Sequence, residues 1–182
     1  FMEFSWDGDF ACVQHYGQLW DVHGGTTATK ARKSEIITII RSKEPCSESF
    51  EVAVRSLTYS GQGEQDYHHT LGVCSSNYPF PNCDLRDSSA VSINLKTGDL
   101  HTYSGNQKFS SPVVCGDLVS FRVDREKKEV VVTHSQASGD IMEAKITWPT
   151  MPNELYLAVA MDEVGSSVQI EEELSLTKAA RS

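Results

Sequence analysis

Short segments in which apolar and polar residues alternate recur along the chain. Segments 50–55, 91–96 and 119–123 each place an apolar residue at every second position. This period of two is typical of strands with one buried face. Segments 155–161 and 36–40 are apolar at nearly every position, as expected of strands that are covered on both faces. The pattern therefore predicts strands.

Turn residues between these segments predict hairpins. The highly charged segment 124–129 follows one predicted strand and precedes the apolar residues Val130–Val132. The Gly98 turn precedes a further short strand at 100–103, and glycine readily takes the positive φ that such a turn needs. After the Gly165 turn, residues 167–170 are predicted to pair with the strand at 155–161.

Helices are weakly predicted. Segments 29–35 and 171–180 contain helix-compatible residues but no clear apolar stripe at helical spacing. Roughly ten short strands separated by turn residues instead favour an all-β fold, an antiparallel β-sandwich. No repeat or low-complexity linker divides the chain, so we expect residues 1–182 to form one domain.

Four segments carry a family resemblance in both order and spacing. They are Phe-Glu-Val-Ala-Val at 50–54, Leu-Gly-Val at 71–73, Gly-Asp followed by a strand ending in Asp at 116–124, and Glu-Leu-Tyr-Leu-Ala-Val-Ala at 154–160. Together they resemble the SPRY domain family, whose fold is a concanavalin-type jelly-roll sandwich. The resemblance covers about residues 50–170 as the core, and 4–46 resemble the PRY-like N-terminal extension.

The chain departs from the family pattern at several positions. Leu157 stands where the family usually has Pro, and Lys127-Lys128 stand where Gly is expected. Val91–Leu95 replace a Trp-rich strand, and Thr133–Gln136 replace an aromatic-Asn-Gly hairpin. The chain therefore resembles a divergent member. Within the Gly-Asp motif, Asp117 is expected to hydrogen-bond its own turn, which is a structural role.

The charge balance bears on the choice of partner. The chain has 25 acidic residues against 16 Lys and Arg, a net charge of −9, and no basic cluster longer than two residues. Because nucleic-acid affinity comes largely from Lys and Arg that neutralise phosphates, we expect no nucleic-acid partner. No apolar segment approaches the roughly 20 residues of a membrane-spanning helix, so no membrane partner is expected. A basic or neutral peptide is favoured over an acidic one.

Metal and catalytic signatures are missing from the sequence. His68-His69 are adjacent, which on a strand points them to opposite faces, and no Cys-x-x-Cys, His-Glu-x-x-His or Gly-x-Ser-x-Gly pattern occurs. We therefore expect no metal, no cofactor and no enzymatic activity. The five cysteines are an odd, widely spaced set, typical of free thiols. With no N-terminal signal pattern and no Asn-x-Ser/Thr sequon, this usage favours a cytoplasmic, intracellular location.

Two loops are longer than hairpins require and hold aromatic residues beside polar ones, a composition that binding surfaces favour. They span residues 60–69 and 75–84. As the resemblance implies, such domains serve as the substrate- or partner-binding part of larger intracellular proteins, including ubiquitin-ligase subunits and adaptors. The candidate partner-binding residues, on loops at one end of the sandwich, are Tyr67, His68, Tyr78, Phe80, Arg86 and Trp148.

The sequence is also compatible with other roles for these residues and with other functions. Trp148 could instead be a core residue beneath the strand at 155–161, and Trp6 and Trp20 are expected to pack in the core. A lectin-type sandwich would use Tyr78, Trp148 and Asn82 to bind a sugar. A hydrolase on the same architecture would need two carboxylates that face each other across a cleft.

Overall fold

A computed structural model describes residues 4–9, 19–32, 39–59, 69–75, 85 and 89–171 of the chain. Within these ranges the chain forms thirteen strands and no helix. The strands are β1 (Trp20–His23), β2 (Thr27–Lys30), β3 (Ile39–Arg41), β4 (Phe50–Thr58), β5 (Thr70–Ser75), β6 (Ala90–Asn94), β7 (Leu100–Thr102), β8 (Gly105–Gln107), β9 (Leu118–Asp124), β10 (Glu129–Ser135), β11 (Ile141–Thr147), β12 (Leu155–Ala160) and β13 (Ser167–Glu171).

The strands form two antiparallel sheets. The seven-stranded sheet has the order β1-β2-β13-β4-β9-β10-β11, and the six-stranded sheet has the order β3-β12-β5-β6-β7-β8. Apolar side chains of both sheets share one buried cluster, which includes Phe121 and Val132 of the first sheet and Leu71 and Leu157 of the second. The predicted all-β antiparallel sandwich is confirmed.

The alternation in the sequence explains which face of each strand is buried. In β9, Val119, Phe121 and Val123 are buried, while Arg122 between them is exposed. The predicted hairpins are also confirmed, because β9 pairs with β10 and β6 pairs with β7. Gly98 has the positive φ, 79°, that its turn requires.

The predicted pairing of 155–161 with 167–170 is wrong. β12 lies between β3 and β5 in the six-stranded sheet, whereas β13 lies between β2 and β4 in the other sheet. The Gly165 turn thus carries the chain from one sheet to the other. Both strands are apolar enough to lie inside a sheet with a neighbouring strand on each side, but the sequence pattern does not show which of the two sheets each strand joins.

The weak helix predictions are also resolved where the chain is described. Residues 29 and 30 end β2, and Glu171 ends β13, while 33–35 and 172–180 lie outside the described residues. The described part of the N-terminal extension adds β1 and β2 to one sheet and β3 to the other. Trp6 and Trp20 have no exposed surface, which confirms their packing role.

Candidate functional site

The structure describes only one of the six candidate partner-binding residues. Tyr67, His68, Tyr78, Phe80 and Arg86 lie outside the described residues, as does Asn82 of the lectin alternative. Trp148 has no exposed surface and belongs to the core cluster between the sheets. The assignment of Trp148 to the partner-binding surface is therefore wrong, and the alternative assignment to the core is correct. A buried ring also cannot stack on a sugar, as the lectin alternative would require.

The described strand β5 shows where the two candidate loops join the sandwich. Residues 60–68 precede β5, and residues 76–84 follow it. The attachment points therefore lie at opposite ends of a six-residue strand, roughly 20 Å apart. The two loops therefore leave the sandwich at opposite ends of β5.

The sheet face between these attachment points is built from small side chains. We call it the outer face: the residues of the six-stranded sheet that point away from the core. These residues are Ile39, Arg41, Thr70, Gly72, Cys74, Ala90, Ser92, Tyr156, Ala158 and Ala160. A Cβ at Gly72 would overlap the carbonyl oxygen of Val91 and come within 2.7 Å of the Cα of Ser92, so this position requires glycine.

Leu85 covers part of the outer face. Its side chain has no exposed surface and packs in a small cluster with Cys74, Ala90 and Ala158. The Ser92 hydroxyl donates a 2.6 Å hydrogen bond to the carbonyl oxygen of Leu85. Leu85 also has a φ of 59°, in the left-handed region that leucine rarely adopts. A residue in a strained conformation is held where several contacts determine its position.

A cation–π pair lies on the same face near its β3 edge. The guanidinium carbon of Arg41 is 4.1 Å from the centroid of the Tyr156 ring, and both side chains are half-buried. Arg41 lies opposite Ala158 in the sheet, and Tyr156 lies opposite Cys74. The small residues at the centre of the outer face, such as Ala90 and Ala158, have no exposed surface. The partly exposed part of this face is the Arg41–Tyr156 pair, whose ring and cation suit peptide backbone or aromatic side chains.

A buried polar network lies at the other sheet. The Asp117 carboxylate accepts hydrogen bonds from the N–H groups of Val114 and Ala137, each at 3.0 Å. Its Oδ2 is also 2.8 Å from Nε2 of His134, whose Nδ1 is 2.8 Å from the Ser110 hydroxyl. Burial alone would raise the pKa of Asp117, but these hydrogen bonds together hold it below its ordinary value of 3.8.

This serine–histidine–aspartate chain has the connectivity of a catalytic triad, but its carboxylate holds the fold. Asp117 joins the turn before β9 to the turn after β10, which confirms the structural role predicted for the Gly-Asp motif. Gly116 has the positive φ, 90°, that the turn needs. Asp117 is the one fully buried carboxylate among the described residues, and it faces a histidine rather than the second carboxylate that a glycosidase requires.

A second buried ionisable group lies in the core. Lys30 is 1% exposed, and its Nζ is 5.3 Å from the centroid of the buried Trp20 ring. Among the described residues this Nζ has no hydrogen-bond partner. Desolvation lowers the pKa of Lys30 from 10.5 to about 8, although the Asp162 carboxylate acts in the opposite direction. The described ranges hold no group of three or more His, Cys, Asp or Glu that could bind a metal.

Three cysteines fall in the described ranges, and none of them is in a disulfide: Cys46, Cys74 and Cys115. Within the same ranges no helix is long and apolar enough to cross a membrane. Sequence reasoning missed Leu85, Arg41 and Tyr156. Only the Tyr156 segment carried a signal, the apolar strand that contains it, because a loop leucine and an edge arginine follow no periodic pattern.

Comparison with known proteins rests on structure. No protein-family model and no curated protein sequence matches the chain. The SPRY domain of human HERC1 is 16% identical, with a TM-score of 0.63 over 84% of this chain and 92% of that one. The TRIM65 PSpry domain is 12% identical, with a TM-score of 0.66 over 94% of this chain and 93% of that one.

The stonustoxin structure is similar as well. It is 11% identical, with a TM-score of 0.66, and the match covers 93% of this chain but 27% of that one. These similarities confirm the resemblance predicted from four sequence segments: the chain has a SPRY-like fold. At such low identity these similarities establish the fold alone, and the proteins that share this fold are of different kinds.

Proposed function

We propose that this chain is a protein-recognition module that binds a peptide segment or a protein partner without catalysis. The binding surface is formed by the two loops attached to β5, together with the half-buried Arg41–Tyr156 pair on the outer face, whose small central residues are buried. The strands supply a rigid frame. The contacts that select the partner come from the loop residues Tyr67, His68, Tyr78 and Phe80 and from Arg86, just after the second loop.

One observation carries this proposal: the buried, left-handed Leu85 is held on the outer face by Ser92. Leu85 belongs to the stretch of chain that contains Tyr78 and Phe80, and it directly precedes Arg86. A fixed point in this stretch lowers the entropy that its neighbours lose when a partner binds. Arg41 and Tyr156 on the same face support a contact surface that extends beyond the loops.

Two further parts of the proposal concern context. We propose that the module is the substrate- or partner-recognition part of a larger intracellular protein such as a ubiquitin ligase or an adaptor, and the SPRY-like fold supports this proposal. The ligand is basic or neutral, because the chain carries a net charge of −9, the loops contain Glu64, Asp66 and Asp84, and Asp87 follows the second loop closely. Binding should therefore weaken as salt is added.

Selection from a random peptide library displayed on phage tests the proposal. We expect the wild-type chain to enrich peptides with basic or neutral character. The combined Tyr67→Ala, Tyr78→Ala and Phe80→Ala substitutions should weaken their binding at least about 30-fold, since the loss of even one aromatic anchor costs about 2 kcal/mol or more. Fluorescence titration with the selected peptides measures the affinities, and circular dichroism checks the fold.

Tyr103→Ala is the matched control, because Tyr103 is an aromatic residue that is 43% exposed in the β7–β8 turn, outside the proposed surface. This variant should bind the selected peptides like the wild type. Unchanged affinity of the triple variant would refute the surface assignment. If no peptide is enriched but a glycan array gives hits that protect the fold thermally, the lectin alternative replaces the proposal.

A further inference from the structure

One edge of the sandwich is unusually open. Four strands form sheet edges in the described part of the chain: β1, β3 and β8 have four, three and three residues, whereas β11 has seven. Natural proteins keep exposed edges short because a long edge offers unpaired N–H and C=O groups to another strand. β11 also carries two exposed apolar side chains, Ile141 at 65% and Met142 at 45%.

The ladder with β10 determines which backbone groups of β11 point outward. The Trp148 N–H donates to the Lys128 carbonyl, and the Gln136 N–H donates to the Asp140 carbonyl. Bonded and non-bonded pairs alternate in an antiparallel ladder, so the even-numbered residues of β11 bond to β10. The N–H and C=O groups of the odd-numbered residues therefore face away from the sheet: Ile141, Glu143, Lys145 and Thr147.

A second copy of β11 fits this edge in one antiparallel register. With Ala144 opposite Ala144 of the second copy, the outward residues pair as Ile141 with Thr147 and Glu143 with Lys145. Each charge pair then occurs twice, once on either side of the two-fold axis. Met142 would lie opposite Ile146 of the second copy, which covers its exposed side chain.

The neighbouring registers are excluded by charge. The outward-facing N–H and C=O groups belong to odd-numbered residues, so odd-numbered residues of the two copies must lie opposite each other. The nearest registers that meet this condition place the two-fold axis at residue 143 or at residue 145 instead of Ala144. The first places Glu143 opposite Glu143 of the second copy, and the second does the same with Lys145. Like charges directly opposite each other destabilise a sheet. We propose that β11 is a self-association edge, through which two copies of this chain form a two-fold symmetric dimer with a continuous sheet of fourteen strands.

Charge reversal tests the register. The wild-type chain, of 20.2 kDa, should show a concentration-dependent dimer in sedimentation equilibrium at up to about 0.5 mM, since a contact of one strand pair belongs to the weak class. Glu143→Lys alone and Lys145→Glu alone should each raise the dissociation constant about tenfold or more, because each places two like-charge pairs in the interface. The double variant, Glu143→Lys with Lys145→Glu, should restore the dimer.

Mixing gives the sharpest readout. Glu143→Lys and Lys145→Glu, each monomeric alone, should form a heterodimer when combined, because every facing pair is then Lys against Glu. Lys108→Glu is the control, since its side chain is 94% exposed and lies after β8 on the other sheet. It makes the same charge change and should leave the dimer intact. Circular dichroism confirms the fold of each variant.

Amide exchange by NMR supplies an independent measurement. On dimerisation the amides of Glu143 and Lys145 should gain protection, while those of Met142 and Ala144, already bonded to β10, should change little. A wild-type chain that stays monomeric over the whole concentration range would overturn the proposal. So would a dimer that neither single charge reversal weakens, because its contact would then lie elsewhere.

Discussion

At the residue scale, the buried Asp117 carboxylate is expected to contribute strongly to the stability of the fold. Its carboxylate accepts from two backbone N–H groups and faces a buried histidine. Asp117→Asn removes the charge and places an amide N–H₂ against one of these donors. We expect the free energy of unfolding to fall by about 3 kcal/mol, measured by urea denaturation at pH 7.

The stabilisation that the Asp117 carboxylate provides depends on pH. The pKa of Asp117 is lower in the folded chain than its ordinary value of 3.8, so the folded state binds fewer protons. Its stabilisation is present above pH 3.8 and is lost as the pH falls through the folded-state pKa. The wild-type chain should therefore lose more stability on acidification than Asp117→Asn. Asp140→Asn is the control, because Asp140 lies in an exposed turn. It should change neither the free energy of unfolding at pH 7 nor the loss of stability on acidification.

Lys30 differs from Asp117 in that its charged form destabilises the fold, although stability rises with pH in both cases. Its pKa of about 8 in the folded chain is below 10.5, so the unfolded chain binds more protons between these values and stability rises with pH across that window. Lys30→Met keeps the volume and removes the buried charge. We expect it to raise the free energy of unfolding by about 1–3 kcal/mol at pH 7 and to abolish this rise.

Lys108→Met is the control for Lys30, because the Lys108 side chain is almost fully exposed. Both variants are compared by urea denaturation between pH 7 and pH 10. A Lys30→Met variant less stable than the wild type at pH 7 would show instead that the amino group has a stabilising contact in solution.

Single residues were predictable from the sequence where a local rule fixes them. Gly116 and Asp117 follow turn chemistry, and both have the expected roles. Trp148 could be assigned to the core or to a partner because a tryptophan beside prolines suits either, and its burial decides for the core. Leu85 could not be found, since its position depends on packing against strands distant in sequence.

At the element scale, alternation located the strands that have one face in the core. It missed β11, whose residues are mostly exposed on both faces and therefore carry no clear period. It also could not assign β12 and β13 to their sheets, because pairing between strands distant in sequence is set by the whole sandwich. The pattern reports burial alone: the edge strand β11 has little of it, whereas β12 and β13 are buried in different sheets that the pattern does not distinguish.

The β9–β10 turn gives a prediction at this scale. Lys128 has a φ of 54°, and glycine takes this left-handed conformation without the steric cost of a Cβ. Lys128→Gly should therefore raise the free energy of unfolding by about 1 kcal/mol, measured by thermal and urea denaturation. The neighbouring Lys127, which is equally exposed and does not have a positive φ, provides the control: Lys127→Gly should be neutral or destabilising.

At the scale of the whole molecule, the two proposed surfaces lie on different sheets. The outer face belongs to the six-stranded sheet, whereas β11 is an edge of the seven-stranded sheet. Self-association through β11 would thus not cover the loops attached to β5 or the Arg41–Tyr156 pair of either copy, and the dimer would present two partner sites. Two linked sites hold a multivalent partner more tightly than either site alone. Loss of dimerisation and loss of peptide binding are separable, since each has its own substitutions.

Dimerisation should also change the thermal stability of the whole chain. A contact made only by folded chains stabilises the folded state by mass action, so the Tm becomes dependent on protein concentration. We expect the wild-type Tm to rise between about 5 µM and 500 µM, by a few degrees at most for a weak dimer. Differential scanning calorimetry should show no such rise for Glu143→Lys and a restored rise for the double charge reversal. A Tm that depends on concentration equally in all three chains would point to a contact other than β11.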